Sequence, residues 1–311
     1  MRVFLFLFFL PVVLAAQPQQ LMPSLNGDYL KQVICTLASD SMKGRLPGTA
    51  GERTSADYIA AQLKRTGAKP LKRKRFLTPF DYRSPDSSLV HSAGNVIAKV
   101  NTGSDYCIVI TAHYDHIGNG KFHSNVLFSN EIHNGADDNA SGVALLLALA
   151  AWCNEHRPEL NYDIIFAAVS GEEDGLYGSK YLLGGNWIDT AHIICNINLD
   201  MVGHLDLIRP ILIAEGTEKN TGWNSVLPKD SAEGFTVMRK SVQFTDGSDH
   251  CTFINAHIPA VLLSTGITQF YHRPSDDEDK INYPGMIAIG KYIEQLLVNL
   301  NSSPDPLKIF N

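Results

Sequence analysis

The 311-residue sequence has no excess of positive charge and few cysteines. Lys and Arg number 26 against 32 Asp and Glu, a formal net charge of -6, whereas proteins that bind nucleic acid usually present a basic surface. The five cysteines are Cys35, Cys107, Cys153, Cys195 and Cys251, and no two of them form a C-x-x-C pair. Because they are scattered and odd in number, they define no disulfide framework. We therefore expect no nucleic-acid partner and no disulfide-stapled fold.

The sequence also lacks an apolar run long enough to span a bilayer, which takes about 20 residues. Its N-terminal apolar run, residues 3–10, follows Arg2 and is itself followed by Pro11 and by small residues up to Ala16. This order is typical of a secretory signal peptide. We predict a signal peptide over residues 1–16, export of the remainder to a periplasm or to the cell exterior, and no membrane span.

No internal repeat and no Pro/Ser-rich linker divides the chain, so residues 17–311 are predicted to form one domain, and a monomer is the default. Short Val/Ile/Leu-rich runs predict strands at 95–100, 106–112, 163–169, 193–199, 210–214 and 259–264. Helical spacing of apolar residues predicts helices at 28–37, 51–65, 140–152, 177–183 and 285–300. The basic segment 64–75 is predicted to be an exposed edge strand or hairpin. Together these strands and helices predict an α/β fold with a mixed, mostly parallel sheet between helical layers.

Acidic and histidine residues follow the predicted strands, at the ends where open α/β sheets carry their catalytic loops. The candidates are His113 and Asp115, Asp137 and Asp138, Glu172 and Glu173, Asp200, and His272. Imidazole and carboxylate groups without thiolates favour zinc in an open catalytic site over a closed structural one. The sequence therefore predicts a metal site at one edge of the sheet.

The number of candidate ligands exceeds what one tetrahedral ion needs. They suit two ions if one carboxylate bridges, which gives each metal three protein ligands and leaves room for a shared water. Two divalent ions, three ligating carboxylates and one hydroxide also sum to neutrality. Spacing alone does not decide whether Asp137 or Asp138 is the bridge.

The polar segments occur in a characteristic order along the chain. They are His113-x-Asp115, Gly135-Ala136-Asp137-Asp138-x-Ala140-Ser141-Gly142, Glu172-Glu173, Leu199-Asp200-Met201 and Tyr271-His272. In this order they resemble the zinc aminopeptidases of peptidase family M28. The segments 44–49 and 279–282 match flanking parts of the family, so the resemblance covers roughly residues 39–300.

The resemblance implies a three-layer α/β/α sandwich and two zinc ions per chain. One zinc would be held by His113, Asp138 and Glu173, and the other by Asp138, Asp200 and His272, with Asp138 as the bridge. Glu172 would be the general base that forms a metal-bridging hydroxide, and Asp115 would lie behind His113. The substrates would be peptides with a free N-terminus. The histidines outside this set, His116, His123, His133 and His204, are expected to be surface or loop residues.

Three alternatives remain open within this fold. A glutaminyl cyclase shares most ligand positions but uses a single zinc. A glutamate-type carboxypeptidase has the same motifs, so the motifs do not distinguish it from an aminopeptidase. A binding module that has lost its metals would keep only the fold, yet all five ligands and the base are present here. The segment Ser248-Asp249-His250-x-x-Phe253 resembles one near the family's substrate pocket, and no catalytic role is assigned to it.

Overall fold

The structure is a computed structural model that describes residues 22–72, 74–83, 90–121, 123–185, 187–229, 234–239 and 247–302. The predicted signal peptide over residues 1–16 lies outside these ranges. Within the described ranges, no helix combines the length and the apolar character that crossing a membrane requires.

The described residues form a nine-stranded mixed sheet. Its strands are β1 (Lys69–Pro70), β2 (Leu77–Arg83), β3 (Val90–Val100), β4 (Cys107–His113), β5 (Asp163–Val169), β6 (Ile193–Leu199), β7 (Ile211–Glu215), β8 (Thr236–Met238) and β9 (Ala260–Ser264). The spatial order is β1-β3-β5-β4-β6-β9-β7-β8, and β2 also pairs with β3. The central strands β5, β4, β6 and β9 run parallel, whereas β3 and β7 join them antiparallel. Every residue of β4, β5 and β6 is buried, as expected for parallel strands covered on both faces.

Helices cover both faces of the sheet. They are α1 (Gly27–Leu37), α2 (Ala50–Arg65), α3 (Gly142–Glu155), α4 (Tyr177–Gly184), α5 (Trp223–Val226), α6 (His250–Asn255) and α7 (Tyr283–Asn301). Alternate residues of β4 enter different cores: Ile108 belongs to the core that includes residues of α1, α2, α3, α5 and α7, and Val109 belongs to the core that includes residues of α4 and α6. The three-layer α/β/α sandwich with a mixed sheet is therefore confirmed.

Most of the predicted elements occur within a few residues of their expected bounds, and the exceptions have physical reasons. Strand β2 was not predicted because Pro79 interrupts it. In the structure its residues alternate between exposed and buried. Helix α6 has six residues, which is too short to show helical spacing. Within the basic segment, Lys69 and Pro70 form β1 at the outer edge of the sheet, as predicted, whereas Lys64 and Arg65 belong to the end of α2.

Candidate metal centre

Neighbouring parallel strands bring most of the predicted site residues to one edge of the sheet. His113 is the last residue of β4, Asp200 directly follows β6, and Glu173 follows β5 by four residues. Strands β5, β4 and β6 are adjacent in that order, so their carboxyl ends meet. His272 lies on the loop that follows β9.

Asp138 lies in a turn, and the helix that the sequence predicts from residue 140 begins two residues later, at Gly142. Residues 136–141 form an irregular turn in which Asp138 and Asn139 have non-helical dihedral angles, and α3 begins at Gly142. The Asn139 side chain accepts the backbone N–H of Gly142 at 3.0 Å and donates to the Leu199 carbonyl at 2.9 Å. Asn139 thus fixes Asp138 against the end of β6.

Asp138 lies between two sets of side chains, with one oxygen toward each. His113 Nε2 is 3.2 Å from Asp138 Oδ1 and 3.3 Å from Asp200 Oδ1. His272 Nε2 is 3.3 Å from Asp138 Oδ2 and 3.1 Å from Glu173 Oε2. Asp137 faces away: its Oδ1 accepts the Gly203 N–H at 2.7 Å, and its Oδ2 is 2.9 Å from His204 Nδ1.

This grouping corrects the expected pairing of the ligands. The resemblance placed His113 with Glu173 and Asp200 with His272, whereas the structure places His113 with Asp200 and Glu173 with His272. The register explains the difference. Thr111 of β4 pairs with Asn198 of β6, so His113 is level with Asp200, whereas Glu173 lies four residues beyond Val169, the β5 partner of His113.

The distances between the imidazole nitrogen and the carboxylate oxygens of each set fit a bound metal ion. A tetrahedral zinc with ligand bonds of about 2.0–2.1 Å separates its ligand atoms by about 3.3 Å, close to the four N···O distances above. His272 Nε2 is buried and makes no hydrogen bond among the described residues. A cation between these atoms would satisfy both the nitrogen and the carboxylates.

The charges of these side chains point the same way. Burial opposes a charge on His272, but the carboxylates of Glu173 and Asp138 raise its pKa to about 11. Burial also opposes the charge of Glu173, but His272 and the His116 hydrogen bond lower its pKa to about 2. The carboxylates around His272 therefore favour a positive charge at this position, as they would favour a metal cation.

Glu172 lines a pocket of about 330 Å³ in front of these residues. Burial is the main cause that raises its pKa well above the ordinary value for Glu, and Asp200 and Glu173 add to it. Leu176, Met201, Ile267 and Tyr271 give the same pocket an apolar side. The pocket therefore joins the Glu172 carboxyl group to a surface that suits an apolar group.

Asp115 supports both His113 and the Glu pair. Its carboxylate accepts the backbone N–H groups of Glu172 and Glu173, each at 3.3 Å. The carboxylate Oδ1 is 3.7 Å from His113 Nδ1, and the Asp115 carbonyl oxygen is the nearer acceptor at 3.2 Å. Asp115 therefore lies behind His113 as expected, but the closest contact is made by its backbone.

A buried chain of hydrogen bonds runs across β4 and β6 to Asp200. Asn196 Nδ2 donates to Thr111 Oγ1 at 3.0 Å, and Thr111 Oγ1 donates to Asn198 Oδ1 at 2.7 Å. Asn198 Nδ2 then donates to Ser248 Oγ at 2.7 Å, and Ser248 Oγ donates to Asp200 Oδ2 at 2.6 Å. Every hydrogen bond in this series is donated in the direction of Asp200. The last one therefore holds Asp200 Oδ2, while Asp200 Oδ1 faces His113. The role of Ser248 was not predicted, because nothing in the sequence links it to β6.

Arg45 is a second support that the sequence did not assign to the site. Its guanidinium is fully buried and donates to four carbonyl oxygens, those of Leu37, Tyr114, Asn134 and Gly135, at 2.6–2.9 Å. It therefore joins the segment after β4 to the turn that presents Asp138. Only the position of Arg45 in the 44–49 segment could have indicated it.

We predict that Arg45→Ala lowers the free energy of unfolding by about 3 to 5 kcal/mol, because four carbonyl oxygens lose their donor at about 1 kcal/mol or more each. Urea unfolding in a single buffer measures the change. Arg53→Ala is the control, since Arg53 is exposed and bonds only the Gly48 carbonyl among the contacts described, and we expect a change within about 0.5 kcal/mol. Equal losses in the two variants would contradict this role for Arg45.

The histidines outside the predicted set correct a further expectation. His116 and His133 lie in loops, as one of the two expected placements has it, but both are fully buried and neither is at the surface. His123 is exposed, and its backbone carbonyl accepts a hydrogen bond from His272 Nδ1 at 2.8 Å, which leaves Nε2 of His272 for the metal side. His204 pairs with Asp137, as described above.

The sequence is similar to proteins of a known family. The chain matches peptidase family M28 over residues 95–297, which is more than half of its length. A "Probable zinc metalloprotease" of Pyrenophora tritici-repentis is 28% identical over 269 residues, which are 73% of this chain and 54% of that relative. The chain thus spans about half the length of this relative.

Solved structures share the fold at lower sequence identity. A glutaminyl cyclase of Porphyromonas gingivalis superposes with a TM-score of 0.72 at 20% identity, covering 88% of this chain and 97% of that one. A leucine aminopeptidase precursor of Bacteroides thetaiotaomicron gives a TM-score of 0.71 at 20% identity, covering 92% and 100%. At these identities the likeness establishes the fold alone. The match over residues 95–297 identifies the chain as a member of peptidase family M28.

Proposed function

We propose that the protein is a di-zinc aminopeptidase that removes the N-terminal residue from peptides. The observation that carries the proposal is the placement of Asp138, whose two oxygens face two separate imidazole–carboxylate sets. Relatives named as zinc metalloproteases support the choice of metal. We further propose that the protein is exported and acts as a monomer.

The chain offers three ligands to each zinc. His113 Nε2, Asp138 Oδ1 and Asp200 Oδ1 would hold one ion, and His272 Nε2, Asp138 Oδ2 and Glu173 Oε2 would hold the other. Zinc, when bound, polarises a carbonyl group and lowers the pKa of water. Three protein ligands per ion are typical of catalytic rather than structural zinc.

Glu172 is the proposed general base. It lies in the pocket beside the proposed ligands, and its raised pKa suits a group that takes a proton from water and returns it to the leaving amine. The apolar side of the pocket, formed by Leu176, Met201, Ile267 and Tyr271, would receive the side chain of the N-terminal residue. We therefore propose substrates with an apolar N-terminal residue such as leucine.

Zinc affinity is expected to rise with pH. The carboxylates of Glu173 and Asp138 raise the pKa of His272 to about 11, and nearby carboxylates also raise the pKa of His113 well above its ordinary value, so protons compete with zinc for both imidazoles. Zinc binds the unprotonated nitrogen and must displace that proton, which strengthens binding up to about tenfold per pH unit for each proton displaced. We expect at least about one proton released per zinc, measured with a pH indicator in weakly buffered solution. Binding without proton release would contradict the assignment of these imidazoles.

A substrate panel separates the candidate reactions. Purified protein is incubated with a leucyl peptide, with a peptide that begins with glutamine, and with a peptide that ends in glutamate, while zinc per chain is measured in the same samples. Two zinc ions and release of leucine, lost with a chelator, support the proposal. Pyroglutamate formation with one zinc would instead identify a glutaminyl cyclase, and release of the terminal glutamate a carboxypeptidase.

A further inference from the structure

His116 is a third imidazole beside the proposed centre, and the ligand sets above do not use it. It is fully buried on the segment after β4, and its ring meets that of His272 edge-on with centroids 5.6 Å apart. Its Nδ1 is 2.7 Å from Glu173 Oε1, while its Nε2 makes no hydrogen bond among the described residues. The contact with Glu173 is thus the only hydrogen bond that the described residues give to this ring.

The distances distinguish a ligand from a hydrogen-bond donor. Two ligands of one tetrahedral zinc lie about 3.3 Å apart, as do His272 Nε2 and both of its carboxylates at 3.1 and 3.3 Å. The 2.7 Å between His116 Nδ1 and Glu173 Oε1 is too short for that pair and is normal for a charge-assisted hydrogen bond. His116 Nδ1 is also 3.8 Å from Asp138 Oδ2, whereas His272 Nε2 is 3.3 Å from the same oxygen.

We propose that His116 is a positioning residue that holds Glu173 for ligation through one oxygen. Nδ1–H donates to Oε1, so Oε2 alone faces His272 Nε2. A carboxylate tied in this way cannot turn to offer both oxygens to the metal, and it keeps a coordination position open. The inference rests on the proposed di-zinc function.

The other ligand carboxylate is tied in the same way. Ser248 Oγ donates to Asp200 Oδ2 at 2.6 Å and leaves Oδ1 toward His113. In both sets a hydrogen bond therefore occupies the carboxylate oxygen that does not face the imidazole. Gly135 also packs closely against the ring of His116 and restricts its movement. A Cβ atom at position 135 would lie only 2.6 Å from His116 Cδ2.

Two variants test the hydrogen bond separately from the packing. His116→Asn keeps an N–H donor near the position of Nδ1, whereas His116→Leu keeps bulk and removes the donor. We expect the leucine variant to bind one of its two zinc ions about 10- to 100-fold more weakly, as for the loss of other supporting hydrogen bonds at metal sites. We expect the zinc affinity of the asparagine variant to stay within about threefold of the wild-type affinity, because its N–H donor is kept. Competition with a chelator measures both affinities, and the second ion is the internal control.

A measurement on the wild-type protein covers the case in which a variant does not fold. Nitrogen-15 NMR of the zinc-loaded protein reports which nitrogen of His116 carries the proton. A proton on Nδ1 is expected, and a metal-bound Nδ1 would overturn the proposal, as would equal zinc affinities in the leucine and asparagine variants. If wild-type protein binds no zinc, the proposed function fails instead, which separates the two outcomes.

Discussion

Glu172→Gln is expected to keep both zinc ions and to lower kcat for a leucyl peptide by about 10²- to 10⁴-fold, the usual contribution of a general base. The glutamine has the same shape as the glutamate but cannot accept a proton from water. Because no proposed zinc ligand is changed, zinc per chain stays at two. Steady-state kinetics and elemental analysis of the same preparation measure the two quantities together.

The control for this variant is Asp105→Asn, which removes one negative charge at an exposed position before β4. It should leave kcat and zinc content unchanged. If Glu172→Gln also lost zinc, the loss of activity would reflect the metal centre and not the base. If it kept full activity, Glu172 would not be the base.

Asp138→Asn is expected to weaken both zinc ions at once. One oxygen of Asp138 faces His113 and the other faces His272, so an amide in its place removes charge from both sets. The loss in affinity should exceed the roughly 10- to 100-fold that losing a supporting hydrogen bond costs. Chelator competition measures it, and activity should fall with the zinc content.

Asp137→Asn is the matched control, since it changes the adjacent residue in the same way. Asp137 bonds the Gly203 N–H and faces His204 on the other side of the turn. We expect a change in stability but two zinc ions per chain. If Asp137→Asn lost the metals and Asp138→Asn kept them, the assigned bridge would be the wrong aspartate.

Residues that end strands were predictable, because a strand pattern also fixes where its last side chains lie. The run from Asp163 to Val169 was predicted with its observed bounds, and it places Glu172 and Glu173 at the edge of the sheet. The pairing of ligands was not predictable in this way. It depends on the register between β4 and β6, which sets His113 level with Asp200 and which no pattern within one strand records.

The supporting residues were the least predictable part of the site. His116, Ser248 and Arg45 act through contacts with residues far away in the sequence, up to 90 positions for Arg45 and Gly135. The sequence alone does not distinguish an exposed loop histidine, such as His123, from one buried against a carboxylate, such as His116. Only the assembled sheet separates these cases.

The most direct test of the account is a crystal structure of zinc-loaded protein with anomalous diffraction at the zinc edge. The account predicts two zinc peaks about 3.5–4 Å apart, one beside His113 and Asp200 and the other beside Glu173 and His272, with Asp138 between them. A single peak, or two peaks that do not share Asp138, would contradict it.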